Sequence, residues 1–256
     1  MKPKEMAPGR IKPGETSQQG VMKIAVLMAA LNEEKVLPTL LEKIPPEMDV
    51  FIVDDGSTDR TAYLARAFGA AVIQSPLNLG QGHAFITGLK GVLRFWGCKT
   101  GCIVFLDADG QHDPGQIPLF VEKMRETGAD IVVGSRILGK NYQTAPVLRK
   151  FFLPYVTGMI NFLSGYRMTD AMCGFRAFRL ESLSGNENIL DAMIEPQYLA
   201  AEMFLRFGRA GLTVAEVPIV MEERKSGTSY KGMMRYGFGI LRAVARVLVD
   251  KSYWKI

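Results

Sequence analysis

Residues 101–111 read Gly-Cys-Ile-Val-Phe-Leu-Asp-Ala-Asp-Gly-Gln, an apolar run of strand character that ends abruptly in two carboxylates, Asp107 and Asp109. Because alternate side chains of a strand share a face, a turn at the end of this strand can aim both acids at one point. Hard divalent cations prefer such oxygen ligands and usually also hold substrate phosphates. For an isolated pair of this kind, an Asp-rich turn without a ligand is the alternative, since Asp and Gly are common in turns.

Strand predictions alternate with helix predictions about every thirty residues in the first half of the chain. Apolar runs predict strands at Val21–Ala29, Val50–Val53, Ala70–Gln74, within 101–106, and at Asp130–Val133. The first predicted helix opens at Asn32-Glu33-Glu34 and runs to Ile44, and the second runs from a Ser57 or Thr58 cap to Phe68. The third ends near Gly97, and the fourth starts at Pro114. This alternation favours an α/β fold with a mainly parallel sheet covered by helices on both faces.

Polar residues follow each of these strands. They are Asn32-Glu33, Asp54-Asp55, Asn78, Asp107 with Asp109, and Ser135-Arg136. Ligands of open parallel sheets bind beyond the carboxyl ends of the strands. Five strand ends that deliver polar groups to one edge therefore predict one composite site.

The second half of the chain has a less regular pattern. Helices are predicted over Pro146–Ser164, Gln197–Phe207 and Met233–Val249, and strands over Gly174–Phe178 and Thr213–Val220. Pro218 indicates that the last strand lies at a sheet edge. We therefore expect a flexible tail over residues 1–20, one large domain over 21–232 and a C-terminal amphipathic helix over 233–256.

Composition limits the class of protein. The chain has 256 residues and a net charge of +5, which fits a phosphate-bearing ligand or an anionic membrane surface as well as a nucleic acid. It carries no nucleic-acid-binding motif, so we expect no nucleic-acid partner. Three cysteines without a pairing pattern indicate reduced thiols and a cytoplasmic setting. The chain has no run of about 18 apolar residues, so we expect no membrane-spanning helix.

Five signatures, in order and correctly spaced, resemble the inverting glycosyltransferases of family two. They are 53–59 (Val-Asp-Asp-Gly-Ser-Thr-Asp), 107–111 (Asp-Ala-Asp-Gly-Gln), 133–136 (Val-Gly-Ser-Arg), Asp170 with 173–177 (Cys-Gly-Phe-Arg-Ala), and 216–219 (Glu-Val-Pro-Ile) followed by Arg224, Gly227, Ser229 and Lys231. The resemblance extends from about Ile24 to about Gly232 and is greatest to the dolichyl- and polyprenyl-phosphate sugar synthases, the branch of dolichol-phosphate mannose synthase. It implies the GT-A fold, a Rossmann-like three-layer sandwich.

One departure from the family concerns the end of the first strand. The family commonly has Pro-x-Tyr-Asn-Glu there, whereas this chain has Ala-Ala-Leu-Asn-Glu at residues 29–33. Leu31 therefore replaces the aromatic residue that the family places near the nucleotide base. The choice between a GDP-sugar and a UDP-sugar stays open for this reason.

The resemblance implies that mannose or glucose moves from a nucleotide-sugar to a polyprenyl or dolichyl phosphate, with inversion and without a covalent enzyme intermediate. The catalytic residues that it implies are Asp107, Asp109, Asp170 and Arg136. The implied donor-binding residues are Asn32, Glu33, Val53, Asp54, Asp55, Asn78, Gly80, Asp107, Ala108, Asp109, Arg136, Arg224 and Lys231. Mg2+ or Mn2+ is expected on Asp109, Gln111 and Asp107, where it neutralises charge on the leaving diphosphate as a Lewis acid.

Several of these residues also have structural interpretations. Asp55 and Ser57 can cap the following helix, and Arg224 can belong to a solvated basic loop. Glu195 either serves as a base or only begins a helix, and Asp170 is the better candidate for the acceptor region. A phosphomonoester acceptor needs no base, because its second pKa is about 6 and it is already nucleophilic near neutrality.

The C-terminal helix prediction has two interpretations. Its two faces carry Arg235, Arg242 and Arg246 on one side and Ile240, Leu241, Val244, Val247 and Leu248 on the other. The apolar face either docks on the domain or meets a membrane surface or a membrane protein. Large apolar residues earlier in the chain suit a lipid acceptor surface and a core equally: Phe151, Phe152, Leu153, Tyr155, Phe162 and Leu163. We expect a cytoplasmic protein, with peripheral association at the inner face of the membrane as the alternative.

Three competing functions stay open at this point. The same fold and donor can serve a soluble acceptor or a glycan. A nucleotidyltransferase also uses a parallel sheet and an acidic metal site, but the early Gly-rich phosphate loop of that class is missing. A non-catalytic nucleotide-sugar-binding protein is the third, and the full set of acids argues against it.

Overall fold

The computed structural model of the protein describes residues 22–97, 101–139, 147–222 and 233–255. The predicted tail of residues 1–20, Arg224 and Lys231 lie outside these ranges. The strands are β1 Ile24–Ala30, β2 Asp49–Asp54, β3 Ala71–Gln74, β4 Cys102–Asp107, β5 Ile131–Ser135, β6 Arg176–Arg179 and β7 Val214–Pro218. The helices are α1 Leu37–Leu41, α2 Thr61–Ala67, α3 Gln81–Phe95, α4 Ile117–Thr127, α5 Val147–Ser164, α6 Leu180–Ser184, α7 Glu187–Ala192, α8 Leu199–Arg209 and α9 Met233–Val249.

Within the described ranges, the strands form one seven-stranded sheet in the order β3-β2-β1-β4-β6-β5-β7. All neighbours run parallel except β6, which is antiparallel to both β4 and β5. The predicted α/β architecture with a mainly parallel sheet is thus confirmed. Pro218 lies on the edge strand β7, as expected, because the outer side of an edge strand needs no N–H donor.

The adjacent strands β2, β1 and β4 end at the same level. Ala30 of β1 pairs with Asp54 of β2, and Ala29 pairs with Asp107 of β4. Since these strands are parallel, the residues that follow them emerge together at one edge of the sheet. This register brings the polar ends of the three strands together.

The central strands are buried on both faces of the sheet. Residues 25–28 of β1 and 102–106 of β4 are almost inaccessible to solvent, which fits the continuous apolar runs of parallel strands. Helix α3 approaches β1 and β2 closely, because a Cβ atom on Gly88 would lie only 2.5 Å from Leu27 Cδ1. The rings of Phe120 and Phe175, with centroids 4.3 Å apart, pack together in the same core.

Two predicted helix starts are wrong, and one set of contacts between loops explains both. Helix α1 begins at Leu37, because Asn32 takes a left-handed backbone conformation with a φ of 56°. Helix α2 begins at Thr61 without a side-chain cap. Ser57 Oγ instead accepts the Asn32 N–H at 2.9 Å, and Asn32 Oδ1 accepts the Thr58 N–H at 2.8 Å. Asn32, Ser57 and Thr58 therefore bind across the two loops and do not cap the adjacent helices.

The C-terminal helix α9 packs on α5 and α8. Ile240, Val244 and Val247 are buried, so the docking interpretation of its apolar face is confirmed for these residues. Phe238 and Leu241 of the same helix stay exposed, by 73% and 56%. Among the helices described, none combines the length and the hydropathy that crossing a bilayer requires.

We expect Leu27→Ala to lower the free energy of unfolding by about 2–5 kcal/mol, because Leu27 is fully buried under α3 and its truncation leaves a cavity. Urea unfolding measures this loss. Leu119→Ala is the matched control, since Leu119 is 42% exposed and its change should stay within about 0.5 kcal/mol. Equal losses in the two variants would contradict the assigned core.

Candidate active site

The carboxylates at the end of β2 connect the loops around them. The Asp55 N–H donates to the Ala30 carbonyl at 2.9 Å, and the Asp55 carboxylate accepts the N–H groups of Leu79 and Gly80, both at 2.9 Å. Asp54 Oδ1 accepts the N–H of Ser57 at 3.0 Å. Asp55 thus holds the loop after β3 beside β1 and β2, and the alternative that it caps α2 is wrong.

The other predicted donor-binding residues at this edge are also held by loop contacts. The Glu33 N–H donates to Thr61 Oγ1 at 2.8 Å, and Asn78 Oδ1 accepts the Gly80 N–H at 3.1 Å. Burial acts to raise the pKa of Asp59, but hydrogen bonds from Thr61 and from the Glu34 N–H outweigh it and hold that pKa below its usual value.

Two of the predicted donor-binding residues have buried apolar side chains. Val53 and Ala108 are each 2% exposed, so their side chains belong to the core beneath the site. Only their backbone is available at the sheet edge.

Two side chains that the sequence analysis missed hold Asp107. Gln81, the first residue of α3, donates Nε2 to Asp107 Oδ1 at 2.6 Å. His112 accepts the Asp107 N–H at Nδ1, at 3.1 Å. Asp109 Oδ1 accepts the Gln111 N–H at 3.0 Å, so the second acid orients its own turn. The one sequence signal for Gln81 is its position directly after the polar end of the β3 loop.

His112 is a neutral support behind the acid pair. Its ring is fully buried and stacks on Phe175 with a centroid distance of 5.1 Å. Burial lowers the pKa of His112 to about 4, although the Asp109 carboxylate acts to raise it. Because Nδ1 accepts the N–H of Asp107, the neutral ring carries its proton on Nε2.

Arg136 and Asp170 form a bidentate ion pair. Arg136 Nε donates to Asp170 Oδ2 at 2.6 Å, and Nη2 donates to Oδ1 at 2.8 Å. The N–H groups of Arg136 and Met172 also donate to this carboxylate, at 3.2 and 3.1 Å. Asp170 is fully buried, whereas the Arg136 side chain is 18% exposed. The buried Asp170 carboxylate therefore fixes the orientation of the Arg136 guanidinium.

The oxygen donors at the end of β4 fit a hard divalent cation. Asp107, Asp109 and Gln111 provide two carboxylates and an amide, which are donor types that Mg2+ and Mn2+ prefer. In the part of the chain that the structure describes, no three His, Cys, Asp or Glu side chains converge to hold a metal by themselves.

Glu195 has a different environment from the other predicted acids. Its carboxylate is buried and lies 3.6 Å from Arg242 Nη2 and 3.4 Å from Arg246 Nη1. Helix α8 begins only at Leu199, so the interpretation that Glu195 begins this helix is wrong. Its contacts point to the C-terminal helix rather than to an acceptor hydroxyl.

Comparison with known proteins agrees with this geometry. The Glycosyl transferase family 2 model matches residues 25–185. The chain is 33% identical to undecaprenyl-phosphate mannosyltransferase of Micrococcus luteus over 220 residues, which is 81% of this chain and 87% of that protein. It is 30% identical to polyprenol monophosphomannose synthase of Mycolicibacterium smegmatis over 217 residues, which is 80% of this chain and 79% of that protein.

A solved structure has the same fold. Glucosyl-3-phosphoglycerate synthase from Mycobacterium tuberculosis, in complex with Mn2+, UDP-glucose and phosphoglyceric acid, superposes with a TM-score of 0.63 at 22% identity. The match covers 88% of this chain and 79% of that one. The expected GT-A fold is confirmed. The chain belongs to glycosyl transferase family 2, as the resemblance of its signatures implied.

We expect the metal-free protein to lose stability as the pH falls from about 6.5 towards about 4. The unfolded chain takes up a proton on His112 near its ordinary pKa of 6.5, whereas burial keeps the pKa of the folded form at about 4. Stability that is present above pH 6.5 is therefore lost across this window. Urea unfolding at about pH 7 and about pH 5 measures the loss. His112→Asn, which cannot titrate, should show a smaller difference, and an equal pH dependence would contradict the assignment.

Proposed function

We propose that the protein is an inverting, metal-dependent glycosyltransferase that moves mannose or glucose from a GDP- or UDP-sugar to a polyprenyl or dolichyl phosphate. One observation carries the proposal. In a chain of this family, the carboxylates of Asp55, Asp107 and Asp109 and the guanidinium of Arg136 follow parallel strands at one sheet edge. The names of the two relatives, an undecaprenyl-phosphate mannosyltransferase and a polyprenol monophosphomannose synthase, support this acceptor class.

The nucleotide of the donor binds against the loops after β1, β2 and β3. The proposed contacts are Asn32, Glu33, Val53, Asp54, Asp55, Asn78 and Gly80. The network of hydrogen bonds among these loops supports the assignment, since it keeps the edge rigid before the donor arrives. Arg224 and Lys231, which lie outside the described residues, are proposed for the donor phosphates.

Asp107, Asp109 and Gln111 are the proposed residues for Mg2+ or Mn2+. The cation, when bound, stabilises the negative charge that develops on the nucleoside diphosphate as the sugar departs. Gln81 and His112 keep the Asp107 carboxylate and backbone in place. Structures of glucosyl-3-phosphoglycerate synthase with Mn2+ or Mg2+ and UDP support a divalent cation for this fold.

Arg136 is the proposed contact for the acceptor phosphate. Its bidentate pair with Asp170 fixes the direction of the guanidinium and so reduces the entropy lost on binding. A phosphate oxygen of the acceptor attacks the anomeric carbon while the bond to the donor diphosphate breaks on the opposite side, which inverts the configuration. Because the phosphomonoester is already ionised near neutrality, Asp170 acts as a positioning residue and no general base is required.

An apolar groove between α5 and α9 is the proposed site for the isoprenoid part of the acceptor. The groove has a volume of about 430 Å3 and is lined by Phe152, Tyr155, Val156, Met159, Gly237, Phe238, Ile240 and Leu241. Thr157 of α5 accepts the Ala171 N–H at 3.2 Å, which connects the groove wall to the residue after Asp170. The same exposed face is proposed to lie peripherally on the membrane, because large exposed apolar patches commonly mark such contacts.

The test is incubation of the purified protein with polyprenyl phosphate and radiolabelled GDP-mannose or UDP-glucose, with and without Mg2+ or Mn2+, followed by phase partition. Metal-dependent label in the organic phase is expected and identifies the donor. Label that stays in water while nucleoside diphosphate is released would move the acceptor to a soluble molecule or a glycan. Donor binding without turnover would favour the non-catalytic alternative.

We expect Asp109→Asn to reduce transfer by about 100-fold or more, because a Lewis-acid cation supplies several kcal/mol of transition-state stabilisation. Urea unfolding should show a folded protein. Asp113→Asn is the matched control, since Asp113 Oδ1 accepts the Gly115 N–H at 3.2 Å and an amide oxygen can replace it. Most activity should remain in this control. Retention of most activity in Asp109→Asn would contradict the assignment of Asp109 as a metal ligand.

We expect Phe238→Asp to reduce transfer to long-chain polyprenyl phosphate by about 30-fold or more, because an aromatic contact of roughly 2 kcal/mol is lost and a charge enters the groove. The affinity for the nucleotide should not change. Val249→Asp is the control, since Val249 is 80% exposed on the same helix and does not line the groove. Initial rates with polyprenyl phosphate measure the effect, and equal rates in the two variants would argue against the groove.

A further inference from the structure

Glu195 is a buried charge that faces the C-terminal helix. Its side chain is 1% exposed, and its two carboxylate oxygens lie 3.6 Å from Arg242 and 3.4 Å from Arg246 of α9. Oε1 also accepts the N–H groups of Gln197 and Tyr198, at 3.3 and 3.4 Å. Removing one partner from a buried charge is costly, so these contacts fasten the segment before α8 to α9.

The backbone of Glu195 and Pro196 is seated on the first turn of α3. The Gly82 N–H donates to the Pro196 carbonyl at 2.8 Å. A Cβ atom on Gly80 would lie 2.6 Å from the Pro196 oxygen, and one on Gly82 would lie 2.3 Å from the Glu195 oxygen. Only glycine permits this approach at both positions, so the two segments are in direct backbone contact.

The first turn of α3 in turn holds two carboxylates of the donor site. Gln81 donates to Asp107 Oδ1 at 2.6 Å, and the Gly80 N–H donates to Asp55 Oδ2 at 2.9 Å. Any displacement of this turn therefore moves hydrogen-bond donors of both carboxylates. One of them, Asp107, belongs to the proposed cation site.

We propose that Glu195 is a positioning residue that couples the C-terminal helix α9 to the Asp107 carboxylate. The connection runs from Arg242 and Arg246 to the Glu195 side chain, through its backbone to the first turn of α3, and through Gln81 to Asp107. Because α9 also lines the apolar groove, the groove and the cation site share this support. The inference rests on the proposed function, which assigns Asp107 to the donor and its cation.

Asp250 offers a matched control at the other end of α9. Its carboxylate accepts Arg206 Nη2 at 2.6 Å, and Arg206 Nε donates to Glu202 Oε1 of α8 at 2.9 Å. This second group of charges also fastens α9 to α8. For the residues that the structure describes, neither Asp250 nor Arg206 has a hydrogen bond or an ion pair with α3. Glu202 Oε2 also accepts the Glu195 N–H at 2.7 Å, so Asp250 reaches the Glu195 backbone only indirectly, through Arg206 and Glu202. Asp250→Asn therefore loosens α9 while the ion pairs of Glu195 with Arg242 and Arg246 stay in place.

Amide hydrogen exchange of the full-length protein tests the coupling without reference to activity. We expect Glu195→Gln to speed exchange in residues 80–84 by about 10-fold, because local opening of that turn becomes easier. Asp250→Asn should speed exchange of these amides less, because it leaves the Glu195 side-chain ion pairs intact. If Glu195→Gln does not fold, the double variant Arg242→Gln with Arg246→Gln removes the same ion pairs from their half-exposed side. Unchanged exchange in residues 80–84, or equal acceleration in the Asp250→Asn control, would overturn the inference.

Mn2+ binding in the presence of UDP or GDP, measured by electron paramagnetic resonance, gives the functional readout. We expect Gln81→Ala and Glu195→Gln each to weaken Mn2+ affinity by about 10-fold, as the loss of a supporting contact to a metal ligand commonly does. The double variant should be no weaker than Gln81→Ala alone, since both act through one contact. Additive losses would overturn the coupling. Failure of the unaltered protein to bind Mn2+ with either nucleotide would count against the proposed function, and the exchange result would still decide the coupling.

Discussion

The parallel register of β2, β1 and β4 is the constraint on which the rest of the structure depends. Ala30 lies opposite Asp54, and Ala29 lies opposite Asp107, so the three strands end level. The acids that close β2 and β4 therefore emerge within the width of three strands, roughly 10 Å. A slip of one residue in either pairing would turn the side chains of a whole strand to the other face and disperse the site.

Acids gathered at one edge must each be compensated by their surroundings. Asp55 accepts two backbone N–H groups, and Asp170 accepts the guanidinium of Arg136 in a bidentate pair. Gln81 is a neutral donor to Asp107, so that contact fixes the position of the carboxylate but does not balance its charge. A divalent cation held by Asp107 and Asp109 would also meet the negative charge of a departing diphosphate.

The sequence predicts this fold well where the signal is local and poorly where it depends on contacts between distant loops. Continuous apolar runs mark β1, β2 and β4, because strands buried on both faces need them. The predicted starts of α1 and α2 are wrong because the polar groups of Asn32 and Ser57, which lie 25 residues apart in the sequence, bind each other. Gln81 and His112 were missed for the same reason, since only the folded chain shows their contacts with Asp107. The antiparallel direction of β6 also has no local signature.

We propose that the carboxyl edge of β2, β1 and β4 binds a nucleoside diphosphate through a divalent cation. Diffraction at the manganese absorption edge, from crystals grown with Mn2+ and UDP or GDP, measures this most directly. We expect one anomalous peak in coordination contact with an Asp109 oxygen and with the diphosphate. A nucleotide bound at this edge without a metal peak, or a metal peak elsewhere on the molecule, would exclude this mode of binding.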